Sequence, residues 1–510
     1  MKTPGQAATQ LSRQVSFKNK TLQLALLASF VLAVALLVTS HHAVTTSSAS
    51  NADKQLLSVP LPRRRHQAAN GGLPPIPDSV RDKLSNDQHD EKYLLYAMGK
   101  FDGGKDEVVS TISFPLPYDA VPVESVPSEI ILQPTFGSHR RQKNAVFAFA
   151  EGYELNVYVT FIESLKNTGF RGDVILSVSH VDVMKSGVEE YLKWYSLQSD
   201  DSLRVISYGL SWECYKKSGA RILPTNKEGR GSTTNHGFSD CKIHGLYSDG
   251  KDNYLAPAAD PREARPVATA RYELYWIWSR QYDESSSILI IDVRDSYFQS
   301  NPFNFVPFSL GSVHLPANQG TKEGCSLDLF EENFEALNIG TSNYNSQWIK
   351  SAYGQESLKK MTLKPVICSG STMGSQRAIE LYCRAMVAQF DNTKCKAVGC
   401  DQGFHNYLFY EGGLKSFLAS HDCAINVHRQ GSGAVNSLAA MRKSSLRSQG
   451  VLKSLDSKAN GSDADNSVVL NNDNTTLSPV VHQFDRDKEL KGIIRKRSSA
   501  MLTRWKSNQS

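Results

Sequence analysis

Short apolar runs alternate with amphipathic stretches along the middle of the chain, and this alternation restricts the possible folds. Residues 145–150 form an apolar run that predicts a buried strand. Val157, Phe161 and Leu165 then recur every four residues, which predicts one apolar face of a helix. Another strand-like run follows at residues 173–178. Strand, helix and strand in this order indicate a parallel sheet with crossover helices, which is an α/β fold.

The same pattern continues further along the chain and ends in a pair of acidic residues. A strand-like run at 203–206 is followed by a polar, glycine-rich loop and then by a predicted helix at 268–281. Residues 287–291 are the most strand-like run in the chain, and Asp292 and Asp295 come directly after it. In open α/β sheets, ligands bind beyond the carboxyl ends of the strands. These two carboxylates are therefore candidates for a binding site.

The acidic pair also has a structural interpretation. Asp295 could cap the turn that follows it, and Asp292 could pair with Arg294 or with another arginine. In the functional interpretation, the two carboxylates hold a hard cation such as Mg²⁺ or Mn²⁺, because such ions take carboxylate and phosphate oxygens as ligands. A metal held in this way stabilises a diphosphate as a leaving group, so the pair suits nucleotide-diphosphate chemistry.

Composition excludes several other functions. The formal net charge of +6 is too small for a nucleic-acid-binding protein, which concentrates its basic residues on one face. The densest basic stretch lies at residues 488–506, and it predicts a solvated tail or, alternatively, a contact with acidic lipid or polymer. P-loop, zinc-protease and nucleophile-elbow motifs do not occur in the sequence.

An apolar segment near the N-terminus predicts a membrane anchor. Residues 22–38 would span about 25 Å as a helix. Basic residues precede this segment and none follows it before Lys54, so the positive-inside rule places the N-terminus in the cytosol and the remainder in the lumen. A cleaved signal peptide is the alternative. We therefore expect a single-pass type II membrane protein.

The composition also predicts how the chain is divided. The predicted segments are a cytosolic tail (1–21), the anchor (22–39), an extended stem (40–143), a globular domain (144–487) with a helix and a flexible insertion at about 437–477, and the basic tail (488–510). All eight cysteines follow the anchor, and this even number in an oxidising lumen predicts disulfides without fixing their pairing. Asn460, Asn474 and Asn508 begin N-x-S/T sequons, which are typical of a glycosylated surface.

The segment around the two aspartates, residues 290–303, resembles the acidic motif of glycosyltransferases with the GT-A fold, which use nucleotide-diphosphate sugars. Five further segments resemble that family in the same order: 161–173, 271–275, 368–375, 401–406 and 480–486. The resemblance implies a single Rossmann-type domain with a mixed, mostly parallel sheet. Together with the anchor, it implies residence in the Golgi or ER membrane.

The resemblance also assigns roles to individual residues. It implies a metal site formed by Asp292, Asp295 and His482, and a neutral imidazole ligand favours Mn²⁺ over Mg²⁺. The residues it implies for catalysis are Asp401 and Gln402. The residues it implies for donor binding are Arg271, Asp292, Gly370, Gly374 and Asn406.

Several of these assignments have a structural alternative. Asp401 could be the N-cap of a helix, and Arg271 could lie on a solvated helix face. Gly370 and Gly374 could serve an ordinary turn rather than the close approach of a ligand. The usual D-x-D of the family is here D-x-x-D, because Arg294 occupies the position of the second carboxylate. The sequence therefore leaves open which aspartate binds the metal directly.

We expect a metal-dependent enzyme that transfers a hexose or pentose from a nucleotide-sugar donor to a glycan or glycoprotein. A catalytically silent binding protein on the same scaffold is the first alternative, because a fold does not fix a function. A phosphate-ester hydrolase that uses the same two carboxylates is the second alternative. The sequence does not show the donor sugar, the acceptor, or whether the anomeric configuration is retained.

Overall fold

The structure is a computed structural model, and it describes residues 129–130, 132–215, 221–222, 240–244, 247–248, 257–258, 264–305, 324–332, 337–438, 445–454 and 467–508. The predicted cytosolic tail and anchor lie outside the described residues, as does the predicted stem before residue 129. Within the described part of the chain, no helix is long and apolar enough to cross a membrane. This finding contradicts the predicted localisation, a single-pass protein of the Golgi or ER membrane.

Helices and strands alternate through the described residues. The helices are α1 Leu155–Asn167, α2 Val188–Ser196, α3 Val267–Ser279, α4 Asn343–Met361, α5 Gln376–Thr393, α6 Cys400–Tyr410, α7 Leu414–Ala419 and α8 Lys488–Ser507. The strands are β1 Glu129–Ile130, β2 Ala145–Phe149, β3 Asp173–Ser179, β4 Arg204–Tyr215, β5 Arg221–Ile222, β6 Asp240–His244, β7 Tyr247–Ser248, β8 Pro257–Ala258, β9 Arg265–Pro266, β10 Ser287–Ile291, β11 Ser296–Phe298, β12 Ser326–Glu331, β13 Ile367–Ser375, β14 Ala424–His428, β15 Val435–Ser437, β16 Leu452–Ser454, β17 Ser467–Val469 and β18 Val480–His482.

The largest sheet has ten strands in the order β14-β12-β13-β10-β2-β3-β4-β6-β9, with β5 paired to β4. The strands β10, β2, β3 and β4 are mutually parallel. β13 runs antiparallel to both β10 and β12, whereas β14 is parallel to β12. Among the described strands of this sheet, only β5, β6 and β13 oppose the common direction. The prediction of an α/β fold with a mixed, mostly parallel sheet is confirmed.

Both faces of this sheet are covered, which explains the continuous apolar runs in the sequence. Phe147 of β2 points into one apolar cluster with side chains of α3, α5 and α6. Its neighbour Val146 points into a second cluster with side chains of α1 and α2. The strands predicted at 145–150, 173–178 and 287–291 are β2, β3 and β10, and the predicted helices are α1 and α3.

The described cysteines form three disulfides, as the sequence led us to expect in general terms. The pairs are Cys214–Cys241, Cys325–Cys423 and Cys395–Cys400, and the free, buried cysteines are Cys368 and Cys383. The first disulfide joins β4 to β6, and the third closes the loop that leads into α6. A disulfide stabilises the folded state by restricting the unfolded chain, and the third one does so next to the start of α6.

The structure differs from the predicted domain boundaries at both ends. Residues 132–143, predicted as stem, pack onto the sheet, where the backbone N–H of Thr135 donates to Ser207 and that of Arg140 donates to Asp173. The predicted basic tail is instead helix α8, whose Ile493 and Ile494 are buried. Its many basic residues conceal this narrow apolar stripe in the sequence.

The predicted insertion at 437–477 contains β-structure among its described residues. These are residues 437–438, 445–454 and 467–477, and they include β16 and β17, which pair in antiparallel fashion. They contain no α-helix, and the helix expected before the insertion is not found among the described residues. The remaining positions of this segment lie outside the described residues.

Candidate functional site

The predicted acidic pair lies at the carboxyl end of β10, in the middle of the sheet. Directly after β10, the backbone N–H of Asp292 donates to the carbonyl of Gly370 on β13 (3.1 Å). The chain then turns, and β11 begins at Ser296. Because β11 pairs with β18 with Ser296 opposite His482, the late histidine lies beside the two aspartates.

Asp292, Asp295 and His482 form a compact group, called the strand-end cluster below. Each offers one ligand atom, and these atoms all lie within 4.8 Å of one another. The carboxylate Oδ1 of Asp295 and the Nε2 of His482 are buried and have no hydrogen-bond partner among the described residues. A buried polar atom without a partner costs about 1–3 kcal/mol, so these two atoms are well suited to a ligand.

The donor set of the strand-end cluster fits a divalent cation. Two carboxylates and one imidazole are the ligands that Mn²⁺ accepts, and Mg²⁺ accepts the carboxylates. The other ring nitrogen of His482, Nδ1, lies 3.1 Å from the Ser296 hydroxyl. A contact of this kind would orient a ligating imidazole and leave Nε2 available to a metal.

Gly370 keeps open the space in which these ligand atoms meet. A Cβ atom at this position would lie 2.8 Å from Oδ2 of Asp292 and 2.9 Å from Nε2 of His482. Real Cβ atoms do not come this close to other atoms, so any side chain here would displace a ligand of the cluster. The structure thus brings Gly370 to the candidate site.

Gly374, the other predicted glycine, lies elsewhere. It pairs with Ile288 near the start of β10, at the opposite end of the strand from Asp292. A Cβ atom there would lie 2.5 Å from the backbone carbonyl oxygen of Ser326 on β12. The close approach of a neighbouring strand, and not a ligand, accounts for this glycine.

Arg271 connects the strand-end cluster to helix α6. Its Nη1 donates to Asp292 at 2.5 Å, and its Nη2 donates to Asp401 at 2.9 Å. Burial opposes its charge, but Asp292 above all holds the pKa of Arg271 well above its ordinary value. Arg271 therefore lies in the site rather than on a solvated helix face.

Asp401 lies in the first turn of α6, whose N-cap is Gly399. The expected alternative role of Asp401 as N-cap is therefore not what the structure shows. Burial and the nearby charge of Asp292 raise the pKa of Asp401 in spite of Arg271. Asp401 is a buried carboxylate that reaches the site through its ion pair with Arg271.

The two aspartates of the strand-end cluster differ in their electrostatics. Burial would raise the pKa of Asp292, but Arg271 and His482 outweigh it and the pKa is lowered. The pKa of Asp295 is raised, because burial and the charge of Asp292 outweigh His482 and Arg294. A bound divalent cation would favour the ionised form of Asp295, so metal and proton compete at this residue.

Gln402 and Asn406 also lie close to the cluster, but their side chains are engaged by backbone. Gln402 accepts from the N–H of Ser369 (2.7 Å) and donates to the carbonyl of Ile367 (2.5 Å). Asn406 accepts from the N–H of Ile367 and donates to its carbonyl, both at 2.9 Å. The two amides therefore hold the start of β13 against α6.

Several residues at the site were not predicted from the sequence. Tyr153 follows the end of β2, next to β10, and burial together with Asp292 raises its pKa. Arg294 lies 3.3 Å from Asp295, and Arg486 lies 3.7 Å from the same carboxylate. The position of Tyr153 just beyond a strand end was a signal available in the sequence. Arg294 and Arg486 lie in segments that the sequence singled out, but neither was assigned a role there.

Among known proteins, similarity to this chain is found at the level of structure. No protein-family profile and no curated protein sequence matches it. Among solved structures, galactosyltransferase LgtC in complex with donor and acceptor sugar analogs is similar, with 11% identity and a TM-score of 0.31, over 70% of this chain and 94% of that one. An active-site mutant of LgtC is similar over 70% and 95%, with 10% identity and a TM-score of 0.31. A similarity of this extent assigns neither a fold family nor an activity.

Proposed function

We propose that the protein is a metal-dependent glycosyltransferase of the GT-A type, which moves a hexose or pentose from a nucleotide-diphosphate sugar to a glycan or glycoprotein. The strand-end cluster carries this proposal. Two carboxylates and an imidazole converge at the carboxyl end of a central strand, where α/β sheets bind ligands. Two of the converging atoms are buried without a hydrogen-bond partner within the ranges that the structure describes.

Asp292, Asp295 and His482 would hold the metal, which is Mn²⁺ or Mg²⁺. When bound, the metal neutralises the diphosphate leaving group. Gly370 leaves room for the ligand atoms, and Ser296 orients the imidazole. Arg271 keeps Asp292 ionised and fixes its carboxylate.

Asp401 is the proposed contact to the hydroxyl groups of the donor sugar. It is a buried carboxylate that shares Arg271 with Asp292, and this shared partner keeps it close to the strand-end cluster. Gln402 and Asn406 act indirectly in this proposal, because their amides position β13 and with it Gly370. The proposed catalytic domain includes residues 132–143 and helix α8 in addition to the predicted range of 144–487.

The direct test is turnover of donor. The purified full-length protein is incubated with a panel of common nucleotide sugars and Mn²⁺, with and without glycan acceptors, and released nucleotide diphosphate is measured by chromatography. We expect release with at least one donor, its loss in EDTA, and its loss in the Asp295→Asn variant. An Asp283→Asn variant, which alters an aspartate paired with Arg141 away from the site, serves as the control.

The outcomes separate the alternatives. Metal-dependent binding of donors without any release would support a catalytically silent binding protein. Release of inorganic phosphate without sugar transfer would support a phosphate-ester hydrolase. Release that is equal in wild type and Asp295→Asn would contradict the proposed role of the strand-end cluster.

A further inference from the structure

The unusual spacing of the acidic motif places a basic residue between the two aspartates. Arg294 Nη2 lies 3.3 Å from Asp295 and 4.0 Å from Asp485, and the side chain is 51% exposed. Arg486 lies beside it, with Nη1 at 2.9 Å from Asp485 and Nη2 at 3.7 Å from Asp295. Two guanidinium groups therefore border the strand-end cluster on its solvent side.

These two arginines keep most of their hydrogen-bond donors free of described protein acceptors. A guanidinium carries five N–H donors. Arg294 makes a single hydrogen bond to Asp295, and Arg486 makes a single hydrogen bond to Asp485 among the described residues. Arg271 differs, because it is 12% exposed and both of its Nη atoms are engaged by carboxylates. Arg294 and Arg486 are thus more accessible to a further anionic ligand than Arg271, which is mostly buried in its two ion pairs.

The formal charges around the cluster show how Arg294 and Arg486 favour the binding of an anion. The acidic residues are Asp292, Asp295, Asp401 and Asp485, and the basic residues are Arg271, Arg294 and Arg486. Their formal sum of −4 and +3 is −1, which becomes +1 with a divalent cation. Without Arg294 and Arg486, the metal-loaded group would instead carry −1 and would repel an anion.

We propose that Arg294 and Arg486 bind the phosphate oxygens of a diphosphate ligand at the solvent side of the strand-end cluster. The proposal rests on the proposed function and adds the residues that hold the leaving group. A planar guanidinium matches two phosphate oxygens at once, which a lysine ammonium does not. The three-residue spacing of the aspartates thereby serves ligand binding, because the added residue supplies one of the two cations.

The test uses inorganic pyrophosphate as the probe. Calorimetric titration of pyrophosphate into the full-length protein with Mn²⁺ compares wild type, Arg294→Gln and Arg294→Lys. The matched control is Arg141→Gln, because Arg141 is 57% exposed and pairs with Asp283 at 3.0 Å near the start of β2. We expect Arg294→Gln to lower the affinity about tenfold, Arg294→Lys to lower it less, and Arg141→Gln to leave it unchanged.

The inference and the proposed function fail in different ways. The inference is wrong, and the proposed function stands, if Arg294→Gln and Arg141→Gln bind pyrophosphate with equal affinity while Asp295→Asn no longer binds it. No pyrophosphate binding by the wild type with Mn²⁺ would overturn both. Titration of Mn²⁺ alone checks that Arg294→Gln is folded, since removal of a cation should leave metal affinity unchanged or increased. Arg486→Gln is the second variant, and it should reproduce the loss of pyrophosphate affinity.

Discussion

Two groups of buried polar side chains lie near the start of β13, and they differ in how their hydrogen bonds are satisfied. In the strand-end cluster, Asp295 Oδ1 and His482 Nε2 have no hydrogen-bond partner in the described part of the chain. In helix α6, both amide ends of Gln402 and Asn406 bond to the backbone of β13. The resemblance assigned both groups to the site. Only the first has atoms left for a ligand, whereas the second maintains the structure around it.

The largest expected effect is the loss of metal-dependent nucleotide binding in Asp295→Asn. The substitution removes a ligand charge at a position where burial already opposes ionisation. We expect the affinity for UDP in the presence of Mn²⁺ to fall at least about a hundredfold, since even outer contacts to a metal ligand are worth about 10- to 100-fold. Calorimetry measures this affinity, and Asp283→Asn should bind as wild type does. Unchanged UDP affinity in Asp295→Asn would mean that the strand-end cluster binds no ligand and does not differ in this respect from Gln402 and Asn406.

Asn406→Ala is expected to lower stability and to leave metal binding unchanged, in contrast to Asp295→Asn. This substitution leaves the backbone N–H of Ile367 unpaired in the interior, so the free energy of unfolding should fall by about 3 kcal/mol. Urea denaturation measures the change, and Mn²⁺ affinity of the folded variant should stay close to that of the wild type. Gln198→Ala is the control, because Gln198 donates to a backbone carbonyl in an exposed setting. A loss of Mn²⁺ affinity without loss of stability would place Asn406 in the ligand-binding group.

The two glycines of β13 allow a sharper comparison within a single strand. Gly370→Ala should weaken Mn²⁺ binding about tenfold, because the new methyl group meets Asp292 and His482. Gly374→Ala should instead lower stability with little effect on Mn²⁺ affinity, because its methyl group meets the backbone of β12. Calorimetry and urea denaturation of both variants separate the effects. The same loss of Mn²⁺ affinity in both variants would contradict this assignment.

The smallest expected effect is on the pH dependence of stability in EDTA. The pKa of Asp295 is raised in the folded state, so the unfolded chain releases this proton at lower pH. Between the two pKa values the unfolded state binds fewer protons, and stability therefore falls as pH rises. Asn has no proton to release, so Asp295→Asn should gain stability relative to the wild type from acid to neutral pH. Urea denaturation at several pH values measures the stability difference between the variant and the wild type. A difference that did not grow as the pH rises would contradict the prediction.

The features that follow from the order of segments along the chain could be predicted from the sequence. The alternation of strands and helices gave the sheet, and the apolar run before Asp292 placed the acidic pair at a strand end. Val480–His482 was assigned to the same site from the order of the resembling segments, and the β11–β18 ladder brings it there. These features follow from local pattern and from the topology of α/β folds.

Other features depend on tertiary contacts that a sequence does not contain. Gly370 and Gly374 lie in the same small-residue segment, and only the position of β12 separates their roles. Gln402 looked like a catalytic neighbour of Asp401, but its amide reaches the backbone of β13 instead. Helix α8 was taken for a solvated tail because its basic residues outnumber its buried ones. In each case the packing partner is distant in the chain.

The central claim is that Asp292, Asp295 and His482 hold one divalent cation. Crystals of the protein soaked with Mn²⁺ would test it most directly, through an anomalous difference map at the manganese absorption edge. We predict one peak bonded to all three side chains, and no peak at this position in crystals of Asp295→Asn. Wild-type crystals with no peak between these side chains, or with manganese bound only elsewhere, would contradict the claim.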